Sequence, residues 1–337
     1  MNQNEISPAL FFETVSGYER TEVLRTAIEL DLFTKIVEGK QSVTQLADAC
    51  QASPRGIRVL VDALTIIGFL RKEGDRYQVT PSTNVFLNRK SPACLAGVLE
   101  FLHTPNIREC FYQLTAAVRR GGTAVSDEGT VSYDNPIWVD FARAMVPAML
   151  APAKMLAEIA VVAGKPGLRV LDVAAGHGIF GITIAERDPR AQITALDWPN
   201  VLAVATENAQ RAGVADRHKL LPGSAFEVDW GGPYDVVLLT NFLHHFDLPT
   251  CEQIAKKAFA ALAPDGRAIT LEFIPEPDRI SPPATAMFAL TMLATTAHGD
   301  AYTFEEYQRI FAAAGFGKSE FHSLAPTNQQ AVVSHKS

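Results

Sequence analysis

Four cysteines, Cys50, Cys94, Cys110 and Cys251, are spread over 337 residues without CxxC spacing. The sequence therefore offers no zinc knuckle and no disulfide framework, and reduced, packed thiols are expected. No apolar run reaches the roughly 18 residues that a membrane helix needs, and the N-terminal MNQNEISPALFF lacks the basic and then apolar regions of a secretory leader. A cytoplasmic protein without a membrane partner is the expectation. Basic residues are not in excess: 30 Lys and Arg stand against 37 Asp and Glu, a net charge of −7. That balance argues against general attraction to nucleic-acid backbones or anionic lipid. No low-complexity tract or solenoid-period repeat interrupts the chain. What is there is ordinary for a folded protein, 47% hydrophobic and 20% charged, and the usual ~100–200 residues per domain makes two domains the natural division. Small-molecule chemistry fits this composition best.

From Ser16 to about Lys40, the residues Val23, Leu24, Ala27, Ile28 and Leu32 recur at helical spacing and Gly39 offers a stop, so one amphipathic helix is expected. Ser42 caps a short helix over Val43 to Cys50, and Ser53-Pro54 opens another that runs to about Ile67 and ends near Gly68. Two β-prone runs, Phe69 to Lys72 and Tyr77 to Thr80, flank Gly74-Asp75 and read as a hairpin. Helices followed by a hairpin give a winged-helix pattern over residues 1–91. Duplex-DNA binding is one reading of that pattern. Residues 1–90, however, hold eleven Lys and Arg against eleven Asp and Glu, and the would-be recognition helix, Arg55 to Leu64, carries two arginines among mostly apolar residues. Affinity for duplex DNA comes largely from basic contacts to phosphate. Burial against a second subunit is therefore expected, giving a homodimer through this domain and no nucleic-acid partner.

Residues 92–165 read as a helical connector, with helices over Leu95 to Leu102, Phe111 to Arg120, Trp138 to Ala148 and Pro152 to Val162, and loops at Gly121-Gly122 and Gly129 to Pro136. Beyond Leu168 short apolar runs alternate with helices, the pattern of a parallel sheet covered on both faces. Expected strands are Arg169 to Val173, Gln192 to Asp197, Lys219 to Pro222, Asp235 to Leu239, Arg267 to Phe273, Lys318 to His322 and Ala331 to His335. The fold class is thus α/β: a doubly wound, Rossmann-like domain over residues 166–337, preceded by the winged-helix-like domain.

The stretch Leu171-Asp172-Val173-Ala174-Ala175-Gly176-His177-Gly178-Ile179-Phe180-Gly181 places small residues where a strand turns into a helix and backbone can approach a ligand. Gly176, Gly178 and Gly181 satisfy GxGxxG, and Asp197 follows at the spacing of a ribose-binding acid, so an NAD(P)-dependent oxidoreductase is one reading. S-adenosylmethionine (SAM) is the other. It carries no pyrophosphate but a cationic α-amino group, which an acid such as Asp172 would hold near the turn, and a ribose whose hydroxyls suit Asp197. The absence of a second glycine fingerprint favours SAM.

The stretches LDVAAGHG, ALDWPNV, GSAF, LLTNFLHHF and LEFIPEPD together resemble the class I small-molecule O-methyltransferases of the hydroxyindole and caffeic-acid type. The resemblance spans nearly the whole chain. It implies a winged-helix dimerisation domain, a connector that contributes to the acceptor pocket, a SAM-binding domain, S-adenosylhomocysteine (SAH) as product, and no metal. It implies that Gly176 and Gly178 face the methionine part of SAM, that Asp197 holds the ribose and Trp198 lies beside the adenosine, and that Gly223, Ser224 and Ala225 flank the adenine, with Asn241 also on the cofactor. The sequence departs from the family at Ala174 and Ala175, where glycines are usual, at Ser224, where Asp is common, and at Thr240-Asn241, where plant members often have Lys-Trp.

The pair His244-His245 follows the strand ending at Leu239, at the sheet edge where doubly wound folds bind ligands. Histidine suits proton removal near neutral pH because its unperturbed pKa is about 6.5. Adjacent side chains diverge, and no HxxxH or acidic triad accompanies them, so a metal site is not expected. By resemblance His244 is the general base, Glu272 orients it, and His245 replaces the family's Asp. A second orienting Glu of the family falls at Ala301, where Asp300 is expected to substitute. Phe141, Met145 and Met149 share one helix face, and Met287 and Met292 lie on another helix. Their spacing alone describes core; the resemblance makes them, with His245, the expected contacts of an apolar, aromatic acceptor. N- or C-methylation on the same scaffold is the alternative to O-methylation.

Overall fold

A computed structural model describes residues 6–127, 129, 137–161 and 166–336. The chain divides into two compact units, residues 1–101 and 102–337. In the first, helices α1 (Ala9–Val15), α2 (Gly17–Glu29), α3 (Leu32–Val37), α4 (Val43–Cys50) and α5 (Pro54–Ile67) precede the hairpin β1 (Leu70–Glu73) and β2 (Arg76–Val79), then α6 (Pro81–Leu87). Ser42 and Gln45 form a reciprocal capping box at α4, Ser53 caps α5, and Gly68 ends α5 with φ +105°. The expected helix from Ser16 to Lys40 is broken. Asp31 takes the left-handed conformation, φ 51°, which Asp tolerates better than most residues, and the break lets Leu32, Phe33 and Ile36 turn into the same core as Ile57, Val61 and Leu64.

Helices α7 (Ala96–Leu102), α8 (Pro105–Tyr112), α9 (Leu114–Arg120) and α10 (Ile137–Ala160) follow. Two expectations change. The helix Phe111 to Arg120 divides between α8 and α9 at Gln113, while the two helices foreseen between Trp138 and Val162 are one, running through Pro147 and Pro152. A helix-interior proline costs about 3 kcal/mol; burial of Met149, Ala153, Leu156, Ala157 and Ala160 in one core cluster works against that cost. Apart from Gly129, the expected loop Gly129 to Pro136 lies outside the described residues, as does Val162.

The second unit is built on a seven-stranded sheet in the order β5-β4-β3-β6-β7-β9-β8, where β3 is Arg169–Val173, β4 Gln192–Asp197, β5 His218–Pro222, β6 Tyr234–Thr240, β7 Leu262–Glu272, β8 Lys318–Ser323 and β9 Gln330–His335. The first five are parallel; β9 pairs antiparallel with β7 and with β8. The connecting helices are α11 (Ile179–Arg187), α12 (Pro199–Arg211), α13 (Leu248–Ala261), α14 (Pro283–Ala286), α15 (Phe288–Thr295) and α16 (Phe304–Ala313). Alternate residues of the central strands feed opposite faces: Val236 and Leu238 join Leu156, Phe180 and Ile193, whereas Val237 and Leu239 join Ile254, Ala258 and Phe311. No helix among the described residues is long and apolar enough to cross a membrane.

A buried carboxyl on β3 interrupts this apolar alternation. Asp172 points to the same face as Val170 and is fully buried; its Oδ2 accepts the Gly181 N–H at 3.1 Å, and its Oδ1 has no partner. Burial pushes its carboxyl up to about 7 from the ordinary 3.8, the Gly181 hydrogen bond opposing and the nearby Asp197 charge adding. A carboxyl raised on folding favours the folded state fully below its unfolded pKa and loses that contribution as pH rises through the folded one. Replacing Asp172 with Asn removes the titration. Thermal unfolding without added ligand should therefore show Asp172→Asn gaining on the native protein between pH 4.5 and pH 8; a difference that is the same at both pH values would contradict this.

Candidate active site

The chain runs from β3 outward to β4 and β5 on one side and from β6 to β7 on the other, so the strand order reverses between β3 and β6. The carboxyl ends of those two strands splay apart there, which is where doubly wound sheets bind ligands. A cavity of about 540 Å³ occupies this point, a size typical of small-molecule sites. Its walls come from the turn Ala174 to His177 after β3, from Asp197 and Trp198 after β4, from Gly223 to Phe226 after β5, and from Thr240, Asn241 and Phe242 after β6. Trp138, Phe141, His245, Phe246, Ala297 and His298 also line it.

The three turn glycines do different work. Only Gly176 lines the cavity. A Cβ on Gly178 would lie 2.9 Å from that of Ala205, and one on Gly181 would lie 2.6 Å from Cγ2 of Ile193. These two glycines let α11 pack against α12 and the sheet. The motif is thus largely a packing requirement, which is why it does not discriminate between ligands. Ala174, where glycine is usual in the resembling family, still takes φ 52°, a conformation that costs a non-glycine residue roughly 1–2 kcal/mol.

Asp197 accepts the N–H of Gly176 through Oδ2 and that of Trp198 through Oδ1, both at 2.7 Å. Burial pushes its carboxyl up to about 6 despite those two bonds. Each oxygen retains a lone pair for a further donor. His177 accepts from the Ile179 N–H at Nδ1, so its ring proton is on Nε2, and burial pulls its pKa down to about 4. Asn241, at φ 52°, is fixed from two sides: Gln329 donates to its Oδ1, and its Nδ2 faces Sδ of Met149 at 3.6 Å.

The histidine pair sits on a single 3-10 turn, Leu243–His245, just before α13. Glu272, at the end of β7 and without solvent exposure, holds that turn: its Oε1 accepts the backbone N–H groups of Phe242 (3.1 Å), Leu243 (2.9 Å) and His244 (3.4 Å), and its Oε2 bonds to Nδ1 of His244. An ionised carboxylate accepts here from four donors, three converging on Oε1, with the His244 N–H the longest, and one on Oε2. Because such a carboxylate only accepts, the bonding pattern assigns the ring proton to Nδ1 and leaves the lone pair of His244 on Nε2. The His244 ring is further packed by His245, centroids 4.2 Å apart, and edge-on by Phe288 at 4.8 Å. From behind, Gly299 presses on the turn: a Cβ there would meet the His244 carbonyl oxygen at 2.3 Å, and the next residue donates its N–H to that oxygen at 3.0 Å.

The expected site residues separate accordingly. Gly176, Asp197, Trp198, Gly223, Ser224, Ala225, Asn241, Phe141 and His245 line one cavity. Asp172 and Gly178 do not; one is buried under α11 and the other against α12. His244 does not line it either; its ring lies 4.2 Å from that of His245, and the residue is 5% exposed. Asp300, expected to orient His244, instead directs its carboxylate to Arg279 at 3.5 Å and to the Ala301 N–H at 2.8 Å, and only its backbone touches the histidine. Of the methionines, Met145 and Met149 pack on the sheet core, Met292 is buried and Met287 is largely exposed; none lines the cavity. Lining residues missed in the sequence fall into two kinds. Ala174, Ala175, His177, Thr240 and Phe242 follow strand ends, so the switch-point rule would have found them. Trp138, Ala297 and His298 arrive from distant segments with no local signal.

The O-methyltransferase domain model matches residues 139–317, more than half of the chain, and the O-methyltransferase dimerisation domain model matches residues 12–89. Acetylserotonin O-methyltransferase of Mus musculus is 26% identical over 320 residues, covering 90% of this chain and 82% of that protein. Tetracenomycin polyketide synthesis 8-O-methyl transferase TcmO of Streptomyces glaucescens is 26% identical over 322 residues, covering 92% and 91%. Among solved structures, a provisionally named O-methyltransferase from Nostoc punctiforme PCC 73102 is 50% identical, with TM-score 0.95 over 98% of this chain and 100% of that one. Human N-acetylserotonin methyltransferase in complex with SAM shares the fold, with TM-score 0.85 at 22% identity over 100% and 99% of the two chains. These matches favour methyl transfer over the nicotinamide reading of the glycine turn: the chain belongs to the O-methyltransferase family.

Proposed function

We propose that the protein transfers a methyl group from SAM to the hydroxyl of a small aromatic acceptor, with His244 as general base. The observation that carries the assignment of the base is the Glu272 carboxylate, which collects three backbone N–H groups and the His244 ring on the turn beside the switch-point cavity. SAM supplies an electrophilic methyl on a sulfonium centre, whose departure leaves a neutral thioether. The residues present fit that donor: the free lone pairs of Asp197 suit two ribose hydroxyls, Ser224 and Ala225 form the adenine wall, Trp198 adjoins them, and Gly176 and Asn241 lie toward the methionine end. A planar, apolar acceptor suits Trp138 and Phe141, which pack with each other and with His245 on another part of the wall. The relatives' names, acetylserotonin and polyketide O-methyltransferases, support an aromatic hydroxyl.

In this reading His244 receives the acceptor proton on Nε2 as the oxygen bonds to the methyl carbon, and the S–C electron pair stays on sulfur. Glu272 stabilises the imidazolium that forms, because the proton on Nδ1 already faces its carboxylate. His245 is the rival base, since it lines the cavity and its buried Nδ1 has no partner. Burial and the neighbouring His244 hold its pKa well below the usual histidine value, and a weaker proton acceptor without a carboxylate is the poorer base. Its place on the wall suits acceptor contact instead. Residues 1–91 form the dimerisation domain, 92–165 bring Trp138 and Phe141 to the acceptor, and 166–337 hold the donor.

His244→Ala is expected to bind SAM and SAH like the native protein in calorimetry while turnover of a phenolic acceptor falls about 10²–10⁴-fold, with a smaller loss for His245→Ala. The reverse order of losses would move the base to His245, and no binding of either nucleoside by the native protein would remove the reading altogether. The homodimer is supported by the exposed Leu10, Phe11, Phe12 and Val15 on α1 and by the dimerisation-domain match. Sedimentation at micromolar concentration should show twice the 36.6 kDa chain mass; a monomer there would contradict it.

A further inference from the structure

Lys257 lies near the middle of α13, the helix that begins just beyond the histidine turn, and its side chain reaches back across the end of the sheet to the loop that walls the donor end of the cavity. Its Nζ donates to the carbonyl oxygens of Ala225 at 2.7 Å, Phe226 at 2.9 Å and Val228 at 3.1 Å. An ammonium has three hydrogens, so all of them are committed to one loop. Trp230 reinforces the arrangement: its Nε1 donates to the same Ala225 oxygen at 2.9 Å, and its ring lies 5.3 Å from the ammonium.

Phe226 packs on the rings of Phe242 and Phe246, and the loop's peptide groups are also tied to Ser224. Ser224 accepts the Phe226 N–H on its Oγ at 3.2 Å, and its carbonyl oxygen accepts the N–H groups of Glu227 and Val228. The peptide planes from Ala225 to Val228 are thus pinned on one side by Ser224 and on the other by Lys257. Ser224, Ala225 and Phe226 form cavity wall. With Oγ engaged by an amide, the Ser224 hydroxyl keeps its own hydrogen for a ligand. No charged side chain from this loop reaches the cavity, so the wall acts through shape and through the direction of a few polar groups, and those depend on how the peptide planes are held.

We propose that Lys257 is a positioning residue for the methyl donor: by clamping three carbonyl oxygens it fixes the Ser224–Phe226 wall against which the adenine end of SAM is held. The proposal rests on the reading of this cavity as the SAM site. It separates two functions of one helix, whose start carries the histidine turn while its middle sets the donor wall. Loss of the clamp should therefore weaken donor binding and leave the chemical step largely intact.

The test compares Lys257→Met, Lys257→Arg and Trp230→Phe with the native protein, measuring Kd for SAM and SAH by calorimetry, KM for the acceptor, and kcat at saturating SAM. Lys257→Met should raise both nucleoside Kd values at least tenfold, with kcat and acceptor KM within about twofold of native. Lys257→Arg should recover most of that affinity, and Trp230→Phe, which removes one of the four bonds to the loop carbonyls, should show a smaller rise. Hydrogen exchange at the amides of Phe226, Glu227 and Val228 should be faster in Lys257→Met without any ligand. Nucleoside Kd values within twofold of native in Lys257→Met would overturn the proposal, as would equal losses in kcat and donor affinity. Should Lys257→Met fail to unfold cooperatively, Trp230→Phe carries the same two criteria. Failure of the native protein to bind SAM would instead overturn the reading beneath, and unchanged exchange at the three amides would overturn the clamp itself.

Discussion

A buried carboxylate is costly unless its lone pairs are met, and Glu272 meets that constraint by organising everything around the histidine turn. Its four donors come from three consecutive residues, so the carboxylate cannot be satisfied unless the chain after β6 makes one tight turn. That turn in turn fixes which nitrogen of His244 is free. The rest of the site follows from the same point. The sheet places Glu272 on β7 next to β6, the turn leads directly into α13, and the segment around Gly299 closes on the histidine backbone from behind, leaving no room there for a side chain. His244 is thus oriented by the fold's own need to pair a buried charge.

The end of the cavity proposed for the donor is organised differently. Asp197 ties the turns after β3 and β4 together through two backbone amides, and Asp172 ties β3 to the start of α11. The second acid remains half-satisfied, fully buried with one oxygen unpartnered, and its carboxyl is raised accordingly. Of the three glycines, Gly178 makes room for α12 and Gly181 for the sheet. The wall there includes the small residues Ala174, Ala175, Gly176, Gly223, Ser224 and Ala225, and it is held from outside by Gln329 on Asn241 and by Lys257 on the loop after β5.

Much of this was legible in the sequence because local chemistry and fold agree. The strands β3 and β4 were readable to the residue, since continuous apolar runs bounded by turns describe strands buried on both faces, and the capping residues Ser42 and Ser53 stand where the helices begin. Elements that tertiary packing overrides were not legible: α10 runs through two prolines because its buried face outweighs them, and α2 and α3 separate at Asp31 so that Phe33 can enter the core. At the site, residues following strand ends could be read from position. Side-chain direction could not. Asp300 is adjacent to His244 in space yet turns to Arg279, and Met145 and Met149 of α10 pack on the sheet core, as their spacing describes, and not on the cavity to which the resemblance assigns them. Glu272 could be singled out as a carboxylate in an apolar strand, but that it holds a whole turn and not only an imidazole depends on three backbone groups that carry no mark in the sequence.

Glu272 holds His244 with its proton on Nδ1 and its lone pair on Nε2. The most direct measurement is the ¹⁵N NMR spectrum of the histidine rings, with His244 assigned by comparison with His244→Ala and recorded at a pH where the ring is neutral. The expected result is a protonated Nδ1 with a strongly hydrogen-bonded proton resonance and an unprotonated Nε2, the pattern disappearing in Glu272→Gln. A neutral ring carrying its proton on Nε2 would contradict it.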